Sequence, residues 1–140
     1  MKVGLVRHFK VKKGFPEKKL LTVTELVEWF EEYDAADIEE GETDLGDIEW
    51  QRCLTSDMPR AVKTAEKIYR GNIIRMKELR EIPLPQFKIN MRLPFLVWAI
   101  LVKVSWMMNH KTRLEIEEVK RRISTVFDRT LLEGGRMCLL

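Results

Sequence analysis

The sequence has few cysteines, little net charge and no long uninterrupted apolar run. The two cysteines, Cys53 and Cys138, are far apart, so their spacing predicts neither a metal site nor a disulfide framework. The formal net charge of +3 is too small to indicate a nucleic-acid partner by itself. The most apolar segment, Leu93 to Met108, contains Pro94 and Lys103 and falls short of the ~20 residues that a membrane-spanning helix needs. We therefore expect a cytoplasmic protein that engages neither membranes nor nucleic acid.

The composition fits one globular domain. Of the 140 residues, 45% are hydrophobic and 34% are charged, which is ordinary for a folded soluble chain. This length gives one core and leaves no room for a second. We therefore expect a single domain over residues 1–140, and no signal peptide before the first strand, because the apolar run follows Lys2 at once.

The first apolar run, Val3 to Phe9, contains Arg7 and His8 near its end. A short apolar run at the start of a mixed chain predicts a buried strand, from whose carboxyl end this pair would emerge. Open α/β sheets bind their ligands at that edge. A strand that simply runs into a polar loop would have the same pattern, so the pair needs a second signal.

The second signal is the segment Leu54 to Ala65, where a short strand, predicted over residues 52–55, should pass into a helix. Ser56 or Asp57 can cap that helix, and Pro59 fits its first turn. Arg60 would then project from a helix amino terminus, which is a favourable place for an anion.

Together these segments resemble the amino-terminal signatures of the histidine phosphatase superfamily, the phosphoglycerate mutase-like enzymes. In that family the first strand ends in Arg-His-Gly, and a later Ser-x-x-x-Arg-Ala-x-x-Thr-Ala opens a helix. The corresponding residues here are Arg7-His8-Phe9 and Ser56-Asp57-Met58-Pro59-Arg60-Ala61-Val62-Lys63-Thr64-Ala65. The resemblance covers nearly the whole chain. It implies an α/β fold of three layers, with a mostly parallel open sheet and helices on both faces.

The resemblance also implies a metal-independent phosphatase without a cofactor, acting on a phosphate monoester or a phosphoprotein. His8 would be the nucleophile that carries the phosphoryl group as phosphohistidine. Arg7 and Arg60 would bind phosphate oxygens through their guanidinium forks. The segment 79–84 resembles the family's Leu-x-Glu segment, which makes Glu81 the proton donor. A mutase is disfavoured because family mutases carry long insertions.

The chain departs from the family pattern in two ways. Phe9 replaces a glycine that would allow close backbone approach to the phosphate. The strand predicted from Arg136 reaches Leu140 before the family's second catalytic histidine, so the chain is either a truncated product of a longer gene or a natural variant. We therefore expect a fold incomplete at its C-terminus and weak or no activity. Exposed apolar surface there would favour a homo-oligomer.

Three further segments carry expectations. The capping box from Thr22 to Glu25 predicts a helix whose apolar face, including Trp29, packs on the sheet. The acidic stretch from Glu31 to Glu49 should be a solvated connection that lies away from the pocket, since it would repel a phosphate. The lysine-rich loop 9–16 is either a solvated loop or a source of positive charge at the pocket mouth.

The second half of the chain predicts a strand over residues 73–76 and two helices. The apolar segment 95–102 suits a helix in the core, a lid over the pocket or a subunit interface. A capping box at residues 112–115 should open the last long helix, which Gly134 ends. His110 lies in the polar link between these helices, where an exposed histidine is the ordinary outcome.

Two other functions remain open. The first is a non-catalytic phosphate-ligand binding or interaction protein, a pseudophosphatase, that kept Arg7, His8 and Arg60 but lost turnover. The second, a basic nucleic-acid binder, is weaker because the scattered lysines lack interleaved exposed aromatic residues.

Overall fold

The structure, a computed structural model, describes residues 2–140 and has an α/β fold. Its four strands are β1 (Lys2–Leu5), β2 (Arg52–Ser56), β3 (Asn72–Met76) and β4 (Arg136–Leu139). All pairs are parallel, in the order β1-β4-β2-β3. The four α-helices are α1 (Val23–Ala35), α2 (Pro59–Ile68), α3 (Phe95–Met108) and α4 (His110–Glu133). The strands predicted over residues 52–55 and 73–76 are confirmed to within one residue. The prediction of a buried strand in the run Val3 to Phe9 is wrong, because β1 ends at Leu5, lies at an edge of the sheet and has no buried residue.

Helices cover both faces of the sheet. Met137 of β4 packs with Val126 of α4, and the next residue, Cys138, packs with Ala65 of α2. Successive side chains of a strand point to opposite faces, so α2 and α4 lie on different sides. Strand β4 lies between β1 and β2, inside the sheet. The arrangement is compatible with a three-layer α/β fold.

Helix α1 begins with the predicted capping box. Thr22 Oγ1 accepts the Glu25 N–H at 3.2 Å, and the Glu25 carboxylate accepts the Thr22 N–H at 2.9 Å. The prediction that its apolar face packs on the sheet is wrong, because Leu26 packs with Leu21 and Trp98 in a separate core. Trp98 is fully buried and donates its indole N–H to the Leu21 carbonyl at 2.8 Å. The apolar face of α1 therefore packs against α3 and not against the sheet.

Two predicted helix caps are wrong. At α2 the N-cap is Met58, with no side-chain cap, and Ser56 Oγ instead accepts the Met58 N–H at 3.3 Å in the preceding turn. Helix α4 begins at His110, because Asn109 Oδ1 accepts a backbone N–H of the first turn at 3.0 Å. The capping box predicted at residues 112–115 therefore lies inside this helix, and His110 belongs to the helix and not to a link.

Helix α3 contains the predicted segment 95–102 and leaves much apolar surface uncovered. Trp98 and Val102 are buried, whereas Leu96, Met107 and Met108 are 72%, 70% and 79% exposed. Within residues 2–140, no helix combines the length and apolar character needed to cross a membrane. Helix α4 ends as predicted at Gly134, whose φ of 67° favours glycine.

Candidate active site

The four residues singled out in the sequence line one cavity at the carboxyl ends of the strands. Arg7 and His8 follow β1, Arg60 lies in the first turn of α2, and Glu81 lies in the loop after β3. The cavity has a volume of about 230 Å³. Its other lining residues are Val6, Ser56, Met58, Ala61, Leu79 and Leu140. The fold thus brings a histidine, two guanidinium groups and a carboxylate together at the edge where parallel sheets bind ligands.

His8 is held in one tautomer by its neighbour. Its Nδ1 lies 2.7 Å from the Phe9 carbonyl oxygen, and a carbonyl only accepts, so Nδ1 carries the proton. In the neutral ring the other nitrogen, Nε2, therefore keeps its lone pair. The ring is half-buried and lines the cavity. An imidazole oriented in this way is suited to act as a nucleophile through Nε2.

The Phe9 side chain does not enter the cavity, although it replaces the expected glycine. A Cβ on Gly41 would lie 2.8 Å from a ring carbon of Phe9, so the ring packs against that glycine. Phe9 is absent from the lining of the cavity around His8. The substitution therefore leaves this cavity unobstructed.

Thr64 joins the His8 segment to the helix that carries Arg60. The Phe9 N–H donates to Thr64 Oγ1 at 3.0 Å, and the Thr64 hydroxyl donates to the Arg60 carbonyl at 2.8 Å. Thr64 is fully buried, so these hydrogen bonds satisfy a hydroxyl that water does not reach. The single hydroxyl therefore fixes the His8 segment relative to the helix that carries Arg60.

Arg60 is buried and already paired. Its residue is 5% exposed, and its guanidinium contacts Asp34 at 2.5 Å and Glu81 at 3.3 Å. The guanidinium carbon also lies 5.6 Å from the centre of the Tyr33 ring. A buried cation needs such partners, because removal from water disfavours an isolated charge. Any anion that binds Arg60 must compete with these carboxylates.

Glu81 is exposed, and a neighbouring ion pair holds its loop in place. Its side chain is 72% exposed and reaches Arg60 from the loop that follows a short 3-10 turn, Lys77–Leu79. Arg80 donates to both carboxylate oxygens of Asp57, at 2.6 and 2.7 Å. The Arg80 guanidinium also holds the pKa of Asp57 below its ordinary value. This bidentate contact ties the Glu81 loop to the start of α2.

Arg7 is the cation of this site without a counter-charge. It is exposed, and within residues 2–140 it forms no ion pair. It lines the cavity around His8 and also a larger neighbouring cavity. Arg7 is therefore available to an incoming anion, whereas Arg60 is engaged.

The prediction that the acidic stretch lies away from the pocket is wrong. Asp34, within this stretch, contacts Arg60. Asp37 contacts Lys63 at 2.9 Å and Lys12 at 3.4 Å, and hydrogen bonds led by that of Lys63 lower the pKa of Asp37 to about 2. The stretch therefore reaches the cavity through Asp34, because its carboxylates are attracted to the cations of neighbouring segments.

Two other sequence expectations concern aromatic and histidine side chains. Trp29, predicted as a core residue, is only half-buried and donates its indole N–H to the Gly14 carbonyl at 3.1 Å, lining the larger cavity. His110 is exposed and lines neither the cavity around His8 nor the larger one. His8 is therefore the histidine that the candidate site uses.

The cysteines are buried free thiols. Cys53 and Cys138 lie opposite each other on β2 and β4 and are 0% and 1% exposed. A hydrogen bond with the Cys138 thiol, together with burial, raises the pKa of the Cys53 thiol. Thiolate is the nucleophilic form, so the raised pKa makes the Cys53 thiol unsuited to covalent catalysis.

The arrangement offers nucleophilic, cationic and acid–base groups. Within residues 2–140, no group of three or more histidine, cysteine, aspartate or glutamate side chains is placed to hold a metal ion. Sequence reasoning missed three contacts between residues distant in the chain, namely Asp34 with Arg60, Thr64 with Phe9 and Asp57 with Arg80. No family model, curated protein or solved structure matches this chain.

Proposed function

We propose that this chain is a phosphatase of the histidine phosphatase superfamily that hydrolyses a phosphate monoester or phosphoprotein through a phosphohistidine intermediate. One observation carries the proposal: His8, with its Nδ1 proton engaged by Phe9, lines the same cavity as Arg7, Arg60 and Glu81. Phosphoryl transfer needs fixed cations around the phosphate oxygens and a nucleophile in line with the leaving oxygen. The parallel sheet between α2 and α4 supports a phosphoglycerate mutase-like fold.

The first step transfers the phosphoryl group to His8. The lone pair of Nε2 forms a bond to phosphorus while the bond from phosphorus to the ester oxygen breaks. Protonated Glu81 gives its proton to the departing oxygen, so the alcohol or phenol leaves neutral. Arg7 and Arg60 hold the equatorial oxygens, and their charge is never lost.

The second step returns His8 to its starting state. The Glu81 carboxylate, left by the first step, removes a proton from a water molecule that attacks phosphorus. The bond from phosphorus to Nε2 breaks, inorganic phosphate forms, and Glu81 is protonated again. The Phe9 carbonyl holds the Nδ1 proton throughout, which stabilises the imidazole in the orientation required for both steps.

We expect the 140-residue chain to turn over slowly. The family's second catalytic histidine has no counterpart at this cavity, since the other histidine, His110, lies outside it. Loss of one preorganised electrostatic donor typically costs ~10² to 10³ in rate. The carboxylates on Arg60 add a further barrier, because a phosphate must displace at least one of them.

The same engagement of Arg60 supports the alternative function. A cation held by Asp34 and Glu81 serves structure as well as ligand binding. A non-catalytic phosphate-ligand binding protein would then bind its ligand through the uncompensated Arg7 and release it unchanged. The two functions differ in whether His8 is phosphorylated.

The test is turnover of p-nitrophenyl phosphate by the 140-residue chain, the His8→Ala variant and the His110→Ala variant. The proposal predicts slow turnover that His8→Ala abolishes and His110→Ala preserves. Reaction with a radiolabelled aryl phosphate and rapid quenching should also leave an acid-labile, alkali-stable phosphoprotein, as phosphohistidine requires. Equal rates in all three proteins would refute the proposal. Phosphate binding without turnover or labelling would support the non-catalytic alternative.

A further inference from the structure

A second, larger cavity adjoins the candidate site. It has a volume of about 830 Å³, and Arg7 and His8 line both this cavity and the smaller one. This volume lies within the ~300–1,000 Å³ of ordinary small-molecule sites. Most of the remaining wall is aromatic, from Phe15, Trp29, Phe30, Tyr33 and Phe95. We call this wall the aromatic cleft.

The rings of the aromatic cleft hold one another in fixed orientations. Trp29 stacks on Tyr33 with ring centres 5.4 Å apart and meets Phe95 edge-on at 4.9 Å. Phe15 meets Phe95 edge-on at 5.7 Å, yet it is 82% exposed. The Trp29 indole N–H is already donated to the Gly14 carbonyl, so Trp29 offers its ring and no free donor. Such a wall favours a ligand with a flat apolar group that can stack on the rings.

The charges around the aromatic cleft favour the binding of an anion at one end only. Lys10 is paired with Glu39 at 2.7 Å, and Lys13 is paired with Glu32. Both lysines line the cleft, but each carries its own counter-charge. Arg7, at the junction with the candidate site, has none within residues 2–140. A ligand with one phosphate at Arg7 and a neutral aromatic body therefore matches the cleft better than one with two separated phosphates.

From these observations we propose that the substrates are aryl phosphates, or other monoesters with an aromatic ring near the phosphate. The ring would occupy the aromatic cleft while the phosphate lies between Arg7 and His8. This inference rests on the proposed function for its reaction, but ring recognition makes a prediction about binding alone. Burial of the ring would remove apolar surface from water and stack it on fixed aromatic faces.

The test measures binding of two phosphonates by calorimetry, because the carbon–phosphorus bond prevents hydrolysis. Naphthylmethylphosphonate carries an aromatic ring, and methylphosphonate carries the anion alone. We expect the naphthyl ligand to bind about tenfold more tightly or better. Phe15→Ala should remove most of this preference and leave methylphosphonate binding unchanged; Phe15 is highly exposed, so the variant should fold normally. Leu132→Ala is the matched control, since Leu132 is 90% exposed on α4 and outside the cleft.

The outcomes separate the two proposals. Equal affinities for the two phosphonates, or a ring preference that survives Phe15→Ala, overturn the aromatic cleft as the substrate site. A ring preference that depends on Phe15 in a protein without His8-dependent turnover keeps the cleft and rejects the phosphatase. His8-dependent turnover with no ring preference has the opposite meaning: it keeps the phosphatase and rejects the cleft.

Discussion

The Glu81 carboxylate lies 3.3 Å from the Arg60 guanidinium, so the candidate acid and a candidate phosphate-binding cation contact each other directly. A phosphate that binds Arg60 would take the place of this carboxylate and leave it beside the ester oxygen. The contact therefore links ligand binding to the position of the acid. Glu81 is 72% exposed and can move without disturbing the core.

The first prediction concerns the role of Glu81 as an acid. Glu81→Gln should lower kcat/KM for phenyl phosphate by ~10² to 10⁴, the usual contribution of a general acid. The loss should be much smaller for p-nitrophenyl phosphate, whose leaving group departs without a proton. Steady-state kinetics on both substrates gives the comparison, with Glu78→Gln on the neighbouring exposed turn as control. An equal loss on both substrates would mean that Glu81 contributes to substrate binding and does not act as the acid.

The second prediction concerns Thr64 as a positioning residue. Thr64→Val removes the hydroxyl between the Phe9 N–H and the Arg60 carbonyl and leaves the half-buried Phe9 N–H without this acceptor, which should cost ~1 kcal/mol of unfolding free energy. Urea denaturation measures this loss, and Thr64→Ser should restore stability. Thr125→Val is the matched control, because Thr125 makes the same type of hydrogen bond to the Arg121 carbonyl at an exposed position.

If Thr64→Val lowered stability and left turnover unchanged, the role of Thr64 would be purely structural. Because the hydroxyl also fixes His8 relative to Arg60, any His8-dependent turnover should fall in Thr64→Val and recover in Thr64→Ser. Turnover in Thr64→Val equal to that of the unaltered chain would show that the hydroxyl does not position the site.

Local patterns in the sequence predicted the elements that carry the site, because strand ends and helix starts have local physical causes. The apolar run before His8 and the proline before Arg60 are examples, and both side chains lie where these patterns indicate. The partners of Arg60 were not predictable in this way. Asp34 is 26 residues distant in the chain and meets Arg60 only because α1 and α2 are in contact.

The packing of α1 was mispredicted for a related reason. Helical periodicity shows that one face is apolar, but it does not show which apolar surface covers that face. Helix α3 competes with the sheet for the same face, and Trp98 buries Leu26 in a second core. This arrangement leaves Trp29 half-buried, which opens the aromatic cleft.

The third prediction concerns acid stability through the capping box of α1. Hydrogen bonds from Lys18 and from the Thr22 backbone lower the pKa of Glu25 from 4.5 to about 2. Because the pKa is lowered in the folded state, the ionised Glu25 carboxylate stabilises the fold above about pH 4.5. This contribution to the free energy of unfolding is lost as the pH falls toward about 2. In urea denaturation at several pH values, Glu25→Gln should flatten this acid-side decline. Glu28→Gln, an exposed change on the same helix, should leave it unchanged.

A decline of the same slope in Glu25→Gln and in the unaltered chain would assign the acid sensitivity to other carboxylates. Asp37 is the next residue to test, since its pKa is also about 2. In that case Asp37→Asn should flatten the decline of unfolding free energy at acid pH that Glu25→Gln leaves unchanged.

The last prediction concerns the uncovered surface of α3, which we propose associates with a second copy of this chain. Leu96, Ile100 and Met107 are 72%, 56% and 70% exposed and lie on one side of the helix at spacings of four and seven residues. An apolar stripe of this kind is unfavourable in water and favours association. In sedimentation velocity over a range of concentrations, the chain should form a dimer that Ile100→Glu dissociates. Leu132→Glu, an equally drastic change on α4, should leave the dimer intact, and a chain that stays monomeric at every concentration would reject this role for α3.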